Sequence, residues 1–323
     1  MPENRLAAWQ RTALAFTAAV ESGRLDVPLP GSGATWERWA VFADLADEDL
    51  SLARLGEGHA DAIAILAELG GPPPSPGSRW GVWAANPPGP SVTASRQGDM
   101  WVLGGTKQYC SGARVCTDAL VTAAAEDGAR LFAVAAGDLE PLEDSWPATG
   151  MAGSDTLNVG FTDVPAVPVG PPGGYIGRPG FSHGGAGVAA CWYGGARAVG
   201  RTLLCAAAKR DIGPHGLAHL GAVDLALHTA RAALSQAARE IDADPGDVRG
   251  EGALRALRVR TLTEAVATNV LTRTGRALGA GPLSHDEAHS RAVADLTVYL
   301  RQHHAERDLA LLGERVAEQG AAW

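Results

Sequence analysis

At 323 residues the chain is long enough to bury a substantial core and to divide into two or three parts. Hydrophobic residues make up 46% and charged residues 20%, the balance of an ordinary globular protein. A net charge of −9 argues against a broad phosphate-binding surface and sets nucleic acid aside as a partner.

The start of the chain, Met1 to Arg5, has no basic region followed by an apolar run, so no secretory leader is read there. Three apolar segments come next. Leu6, Trp9, Leu14 and Phe16 form the first, and Trp36, Trp39, Val41 and Phe42 the second, beyond a Gly/Pro loop at 28–33. In the third, Leu52, Leu55, Ile63, Leu66 and Leu69 are spaced for one helical face. Pro72-Pro-Pro-Ser-Pro-Gly77 stops that helix, so residues 1–78 are predicted as an N-terminal helical domain.

From Trp80 to Val169 the pattern turns β-like. Short apolar runs at 81–85, 100–103, 119–122, 131–135 and 157–161 alternate with Gly, Pro, Asp and Asn. About ninety residues of this kind suit a small β-barrel or sandwich over 79–174. Within it, Trp101 to Leu103 reads as a strand, Gly104-Gly105 as a tight turn, and Lys107 to Cys110 as a second strand closed by Ser111-Gly112. A small hydroxyl beside a glycine at a strand end leaves room for a flat ligand to approach the backbone.

Gly170-Pro-Pro-Gly-Gly174 marks a second boundary. Helices are predicted at 186–209, 216–241, 254–278 and 288–312, forming a C-terminal four-helix bundle over 175–323. The first is apolar nearly all round and belongs at the centre. The fold class is therefore α+β. The glycine-rich stretch 180–196 reads as a loop and a buried helix, not a membrane span. Cys110, Cys116, Cys191 and Cys205 show no metal-ligand spacing. Cys191 and Cys205 share one predicted helix about 21 Å apart and cannot bridge. A reduced, cytoplasmic protein is the simplest reading.

Three stretches carry a resemblance: Leu45 to His59, Gly98 to Gly112, and Gly150-Met-Ala-Gly-Ser-Asp-Thr156 leading to Phe161-Thr-Asp-Val164. In order, they resemble the N-terminal helical segment, the flavin-binding hairpin and the closing strand pair of the acyl-CoA dehydrogenase family. The resemblance implies FAD as cofactor, an acyl thioester or related small molecule as substrate, and assembly as a homodimer or homotetramer. Tyr109 stands where the family has an aromatic residue over the ring, and Ser111 where it has a hydroxyl near N5. Ala85 falls in backbone that wraps the flavin, although Asn86 replaces the usual acidic residue. Arg276 and Gly279 fall in the turn that contacts the adenine nucleotide, with Arg276 in the place of a glutamine. Read on their residues alone, Tyr109 is a half-buried aromatic and Ser111 a turn hydroxyl; the motif favours the flavin reading. Arg276 is equally a helix-end cation complementing the dipole.

The departures bear on mechanism. Dehydrogenation beside a thioester needs a carboxylate to take the α-proton. Counted without gaps through Gly279 and Asp295, the family's late glutamate falls on His303; the early alternative falls near Val188. No Asp or Glu occurs between 164 and 210. His303-His304 is the feature that could stand in. Neighbours on a helix diverge by about 100°, so one would face inward, and the spacing of Leu296, Leu300 and His303 selects His303. Its imidazole could serve as base, or as proton donor in an oxygenase. The alternative places both histidines on a solvated face with Arg301, Glu306 and Arg307. The pairs His215/His219 and His285/His289 lack a third ligand, so no metal is expected. The expected function is a FAD-dependent oxidoreductase. A flavin-dependent monooxygenase or oxidase on the same scaffold, or a catalytically degenerate structural homologue, are the alternatives. Neither nucleic acid nor membrane is expected as a partner.

Overall fold

A computed structural model describes the backbone of residues 3–319, and their side chains apart from those of 3–7, 138 and 319. The side chain of Leu6, counted above in the first apolar segment, and the start of the chain at Met1 and Pro2 lie outside what is described. Three helices come first: α1 (Glu3–Glu21), α2 (Thr35–Glu48) and α3 (Leu50–Leu69). Seven strands follow: β1 (Trp80–Trp83), β2 (Val92–Gln97), β3 (Met100–Cys110), β4 (Asp118–Ala125), β5 (Gly128–Ala135), β6 (Glu140–Leu142) and β7 (Leu157–Val169). The helices that complete the chain are α4 (Gly174–Gly177), α5 (Pro179–Lys209), α6 (Gly213–Ala243), α7 (Gly252–Leu278), α8 (Gly281–His285), α9 (Glu287–Tyr299) and α10 (Glu306–Gln319). Among the described residues, no helix is long and apolar enough to cross a membrane.

Contacts divide the chain differently from the three consecutive parts read in the sequence. One compact unit joins Met1–Val27 to Arg54–Phe181, and the other joins Pro28–Ala53 to Ser182–Trp323. The N-terminal helices thus contribute to both units.

In the first unit, the strands run β4-β2-β3-β7-β5, and β5 returns to pair antiparallel with β4, closing a small barrel. β1 is added parallel to β4, and β6 antiparallel to β7. On α3, Ala62, Ile65 and Leu66 pack with Trp80, Leu120, Leu131, Ala133 and Val169 to form a core. Lys107 on β3 is also buried, and its ammonium donates to the Thr122 carbonyl and hydroxyl at 2.9 and 2.8 Å. Burial pushes its pKa down to about 8.

The tight turn expected at Gly104-Gly105 is absent. β3 runs through it as one strand of 11 residues, paired with β2 along one edge and with β7 along the other. The glycines mark a bulge, where the register on β7 shifts between Leu103 and Gly105. Gly105 has φ +117°, and a Cβ on it would lie 2.3 Å from the Ser91 carbonyl oxygen. A glycine pair inside an apolar run can signal a hairpin or a bend, and barrel closure selects the bend. β2 and β6 escaped sequence reading because Val92-Thr-Ala-Ser-Arg-Gln97 and the short run Glu140 to Leu142 carry no apolar signature.

In the second unit, α5 supplies the apolar centre, with Ala189, Trp192, Ala196, Val199 and Leu203 fully buried. A Cβ at Gly194 would lie 2.1 Å from the Ala43 carbonyl oxygen, so the glycine lets the α2 backbone rest directly on α5. The four-helix reading needs correction at its end. The helix expected at 288–312 stops at Tyr299, passes through a 3₁₀ turn at Leu300–Gln302, and restarts at Glu306.

The bend at Gly105 yields a stability test. Gly105→Ala is expected to cost about 2 kcal/mol or more, from positive-φ strain plus the clash with Ser91. Urea unfolding measures it, and a loss within the scatter of ordinary surface substitutions would contradict the bulge.

Candidate functional site

Two clusters stand out, one in each unit. The barrel cluster sits where β3 ends and β7 begins. After the second register shift, between Lys107 and Cys110, the chain passes through Tyr109 with φ +60°. This bulge cancels the strict alternation expected to put Tyr109 and Ser111 on one face. Instead Tyr109 turns outward, 49% exposed, with its ring edge-on to Trp146 at 6.3 Å. Ser111 is 8% exposed, and its carbonyl accepts the Trp83 indole N–H at 2.9 Å.

A second segment is laced onto this strand end. The N–H of Gly112 donates to the Ser154 carbonyl (2.8 Å) and that of Ala113 to the Asp155 carbonyl (3.2 Å). The lacing brings three hydroxyls together: Ser111 Oγ lies 2.9 Å from Thr156 Oγ1, which lies 2.8 Å from Ser154 Oγ. Ser154 Oγ donates to the Met151 carbonyl at 2.8 Å. Arg114 holds the segment from outside, gripping the Asp155 carboxylate through its backbone N–H, Nε and Nη2. Ala85 is exposed just beyond the end of β1.

The bundle cluster forms at the break between α9 and α10. His303 is not on a helix, having φ −88° and ψ 129°, so the helical argument for its direction does not apply. Its ring is nevertheless inside, with the residue 3% exposed, whereas the His304 side chain is 60% exposed beside Asp308. The N–H of Ala305 donates to His303 Nδ1 at 3.1 Å, so in the neutral ring the proton belongs on Nε2. That nitrogen lies 3.0 Å from the Thr261 hydroxyl and 3.7 Å from Asp308 Oδ2. Burial pushes the imidazole pKa below its ordinary value, against the opposing pull of Asp308. Trp192 stands edge-on to the His303 ring at 6.4 Å. Arg260 stacks on the same indole and donates to the carbonyls of Gly185 and Gln302, both at 3.0 Å.

Arg276 is exposed in the last turn of α7, and Gly279 is that helix's C-cap, at a positive φ of +67°. They stand together at one helix end, apart from the break that holds His303 and His304. His289, considered above as half of a metal pair, instead shares a 2.8 Å hydrogen bond with the Thr202 hydroxyl. Among the described residues, no group of three His, Cys, Asp or Glu side chains is arranged to hold a metal.

Sequence reasoning missed Ser154, Thr156 and Thr261. The first two lie within the Gly150 to Thr156 motif, whose glycines drew attention away from its hydroxyls. Thr261 lies mid-helix, 42 residues from His303, with no local signal.

The chain has the fold of a set of solved oxygenases. Methanesulfinate monooxygenase MsuC from Pseudomonas fluorescens is similar over 100% of this chain and 98% of its own, with a TM-score of 0.76 and 17% identity. Dibenzothiophene monooxygenase TdsC from Paenibacillus sp. A11-2 is similar over 99% and 98%, with a TM-score of 0.77 and 18% identity, and has also been solved with FMN bound. The 3-HSA hydroxylase from Rhodococcus sp. RHA1 is similar over 99% and 97%, with a TM-score of 0.75 and 16% identity. No protein-family model and no curated protein sequence matches the chain.

The depressed His303 pKa carries a consequence for stability. An unfolded imidazole titrates near 6.5 and the buried one lower, so in that window the unfolded chain binds more protons. Stability should therefore fall as pH drops from about 7.5 to about 5.5, and His303→Gln should fall less steeply. Chemical denaturation across that range measures the difference; parallel curves would contradict a buried neutral ring.

Proposed function

We propose that the protein is a flavin-dependent monooxygenase acting on a small molecule, with the flavin ring on the Tyr109–Ser111 strand end. The single observation that carries this reading is the barrel cluster at the end of β3: a half-exposed aromatic ring, Tyr109, two residues before a buried hydroxyl, Ser111, held by Thr156. An aromatic ring and a small hydroxyl at one strand end fit a planar, amphipathic isoalloxazine. Ala85 is proposed as a backbone contact, and Arg276 and Gly279 as contacts to a flavin nucleotide phosphate. FMN is the form bound in TdsC, whereas FAD is the form implied by the acyl-CoA dehydrogenase resemblance.

A bound flavin supplies the electrons and the ring at which dioxygen is activated. The chain's own groups hold the ring, exclude water and place protons. His303 is proposed as the acid–base residue, holding a proton on Nε2, while His304 points away and is proposed to matter little. The neutral His303 ring can donate a hydrogen bond from Nε2 to a developing oxygen anion, whereas its Nδ1 lone pair is taken by the Ala305 N–H, so it is a poorer base than a carboxylate for α-proton abstraction. This favours oxygenation over acyl-thioester dehydrogenation, and over a structural role.

The test combines binding and turnover. Titration with FMN and FAD should show stabilisation by at least one, and Ser111→Val should weaken binding of the reduced flavin by roughly fivefold, the worth of one hydrogen bond. With reduced flavin and dioxygen, a panel of small sulfur and nitrogen compounds, indole and dibenzothiophene included, should yield an oxygenated product. His303→Ala should then lose roughly 10²–10⁴-fold in rate with flavin affinity retained, and His304→Ala should be mild. Oxidation of an acyl-CoA without oxygen incorporation would overturn the oxygenase reading.

We further propose assembly as a homodimer or homotetramer. Leu204 on α5 and Leu217 and Leu225 on α6 are all exposed, an apolar presentation suited to a second copy. Sedimentation at micromolar protein should show a multiple of 33.2 kDa; a monomer alone would contradict it.

A further inference from the structure

We propose that Thr156 and Ser154 are positioning residues that fix the direction of the Ser111 hydroxyl proton, so that Ser111 meets its ligand only as an acceptor. This rests on the flavin reading above and specifies which redox form the barrel unit prefers.

The argument is a count of protons. A hydroxyl carries one proton and two lone pairs, and a carbonyl oxygen only accepts. Ser154 Oγ lies 2.8 Å from the Met151 carbonyl, so its proton is committed there. The 2.8 Å contact between Ser154 and Thr156 must then be a donation by Thr156. With that proton committed, the 2.9 Å contact between Thr156 and Ser111 must be a donation by Ser111. Reversing any link would set two lone pairs face to face at a buried site, as Ser154 is 1% exposed and Thr156 8%. No other hydrogen bond to Ser111 Oγ occurs among the described residues, so only its lone pairs remain for a ligand.

The two forms of a flavin differ at the atom proposed to face this hydroxyl. Oxidised N5 is a bare acceptor, whereas reduced N5 carries a hydrogen and donates. A serine oriented as acceptor therefore pairs with the reduced ring and opposes the oxidised one. The relay selects the form that reacts with dioxygen, with no charged group involved.

Thr156→Val preserves shape and removes the acceptor for the Ser111 proton, freeing that proton to point at N5. Dissociation constants of the oxidised and reduced flavin, the latter measured anaerobically, and the midpoint potential of the bound flavin provide the readouts. Wild type should bind the reduced form more tightly. Thr156→Val should narrow that preference by about tenfold, lowering the two-electron potential by about 30 mV. Ser154→Ala should shift it the same way by less, and Thr156→Ser should keep the wild-type value. Thermal melting of each variant separates misfolding from a changed preference. If Thr156→Val folds, binds both forms and leaves the potential unchanged, the relay is overturned while flavin binding stands. If wild type binds neither form, the flavin reading itself fails, and the relay with it.

Discussion

The Asp155 carboxylate is the fixed point of the barrel unit. It sits in a turn that pays for its shape in backbone strain: Met151 and Asp155 both lie in the left-handed region, at φ +58° and +45°. Residues other than glycine held there cost of order 1–3 kcal/mol each, so the turn needs an outside hold. Arg114 provides it through three donors, with its guanidinium stacked 4.5 Å over the Trp9 ring of α1. The Asp155 side chain is 4% exposed, and losing its partner would strand a buried charge. The pair therefore acts as a device for specifying one geometry. That geometry is what carries the Ser154 and Thr156 hydroxyls to Ser111.

The bundle unit solves a similar problem by breaking a helix. A continuous helix through 288–312 would have tied the direction of His303 to a face shared with its neighbours. The 3₁₀ turn and the left-handed residue Ala305, at φ +48°, free it from that periodicity. Arg260 then pins the break by donating to the Gln302 carbonyl from α7, one residue before the histidine. Thr261, next along α7, faces the ring nitrogen that carries the proton. Two consecutive residues of one helix thus set both the backbone and the ring of His303. The backbone N–H of Ala305 settles the tautomer without a carboxylate partner at hydrogen-bond distance.

Much of the architecture was legible from the chain because burial imposes periodicity. Three N-terminal helices, a β-rich middle and long C-terminal helices follow from the spacing of apolar residues and from the Pro/Gly boundaries. What could not be read were features that only closure or tertiary contact decides. Gly104-Gly105 is as good a hairpin turn as a bulge until β2 and β7 are known to flank β3. The polar strand β2 has no periodic signal, because its place is set by backbone pairing with β3. His303 is inside for a reason the sequence argument did not contain, a helix break with no proline to announce it. Ser111 stood out as a strand-end hydroxyl, but its proton depends on residues 45 and 43 positions away, joined to it only by the fold.

The account makes Ser111 the residue that meets the reactive edge of a flavin. A crystal structure of the protein with reduced flavin bound tests this most directly. The expected result places N5 about 2.7–3.2 Å from Ser111 Oγ, with Thr156 still bridging Ser111 and Ser154. A flavin bound with N5 turned away from Ser111, or one bound at another surface of the protein, would contradict it.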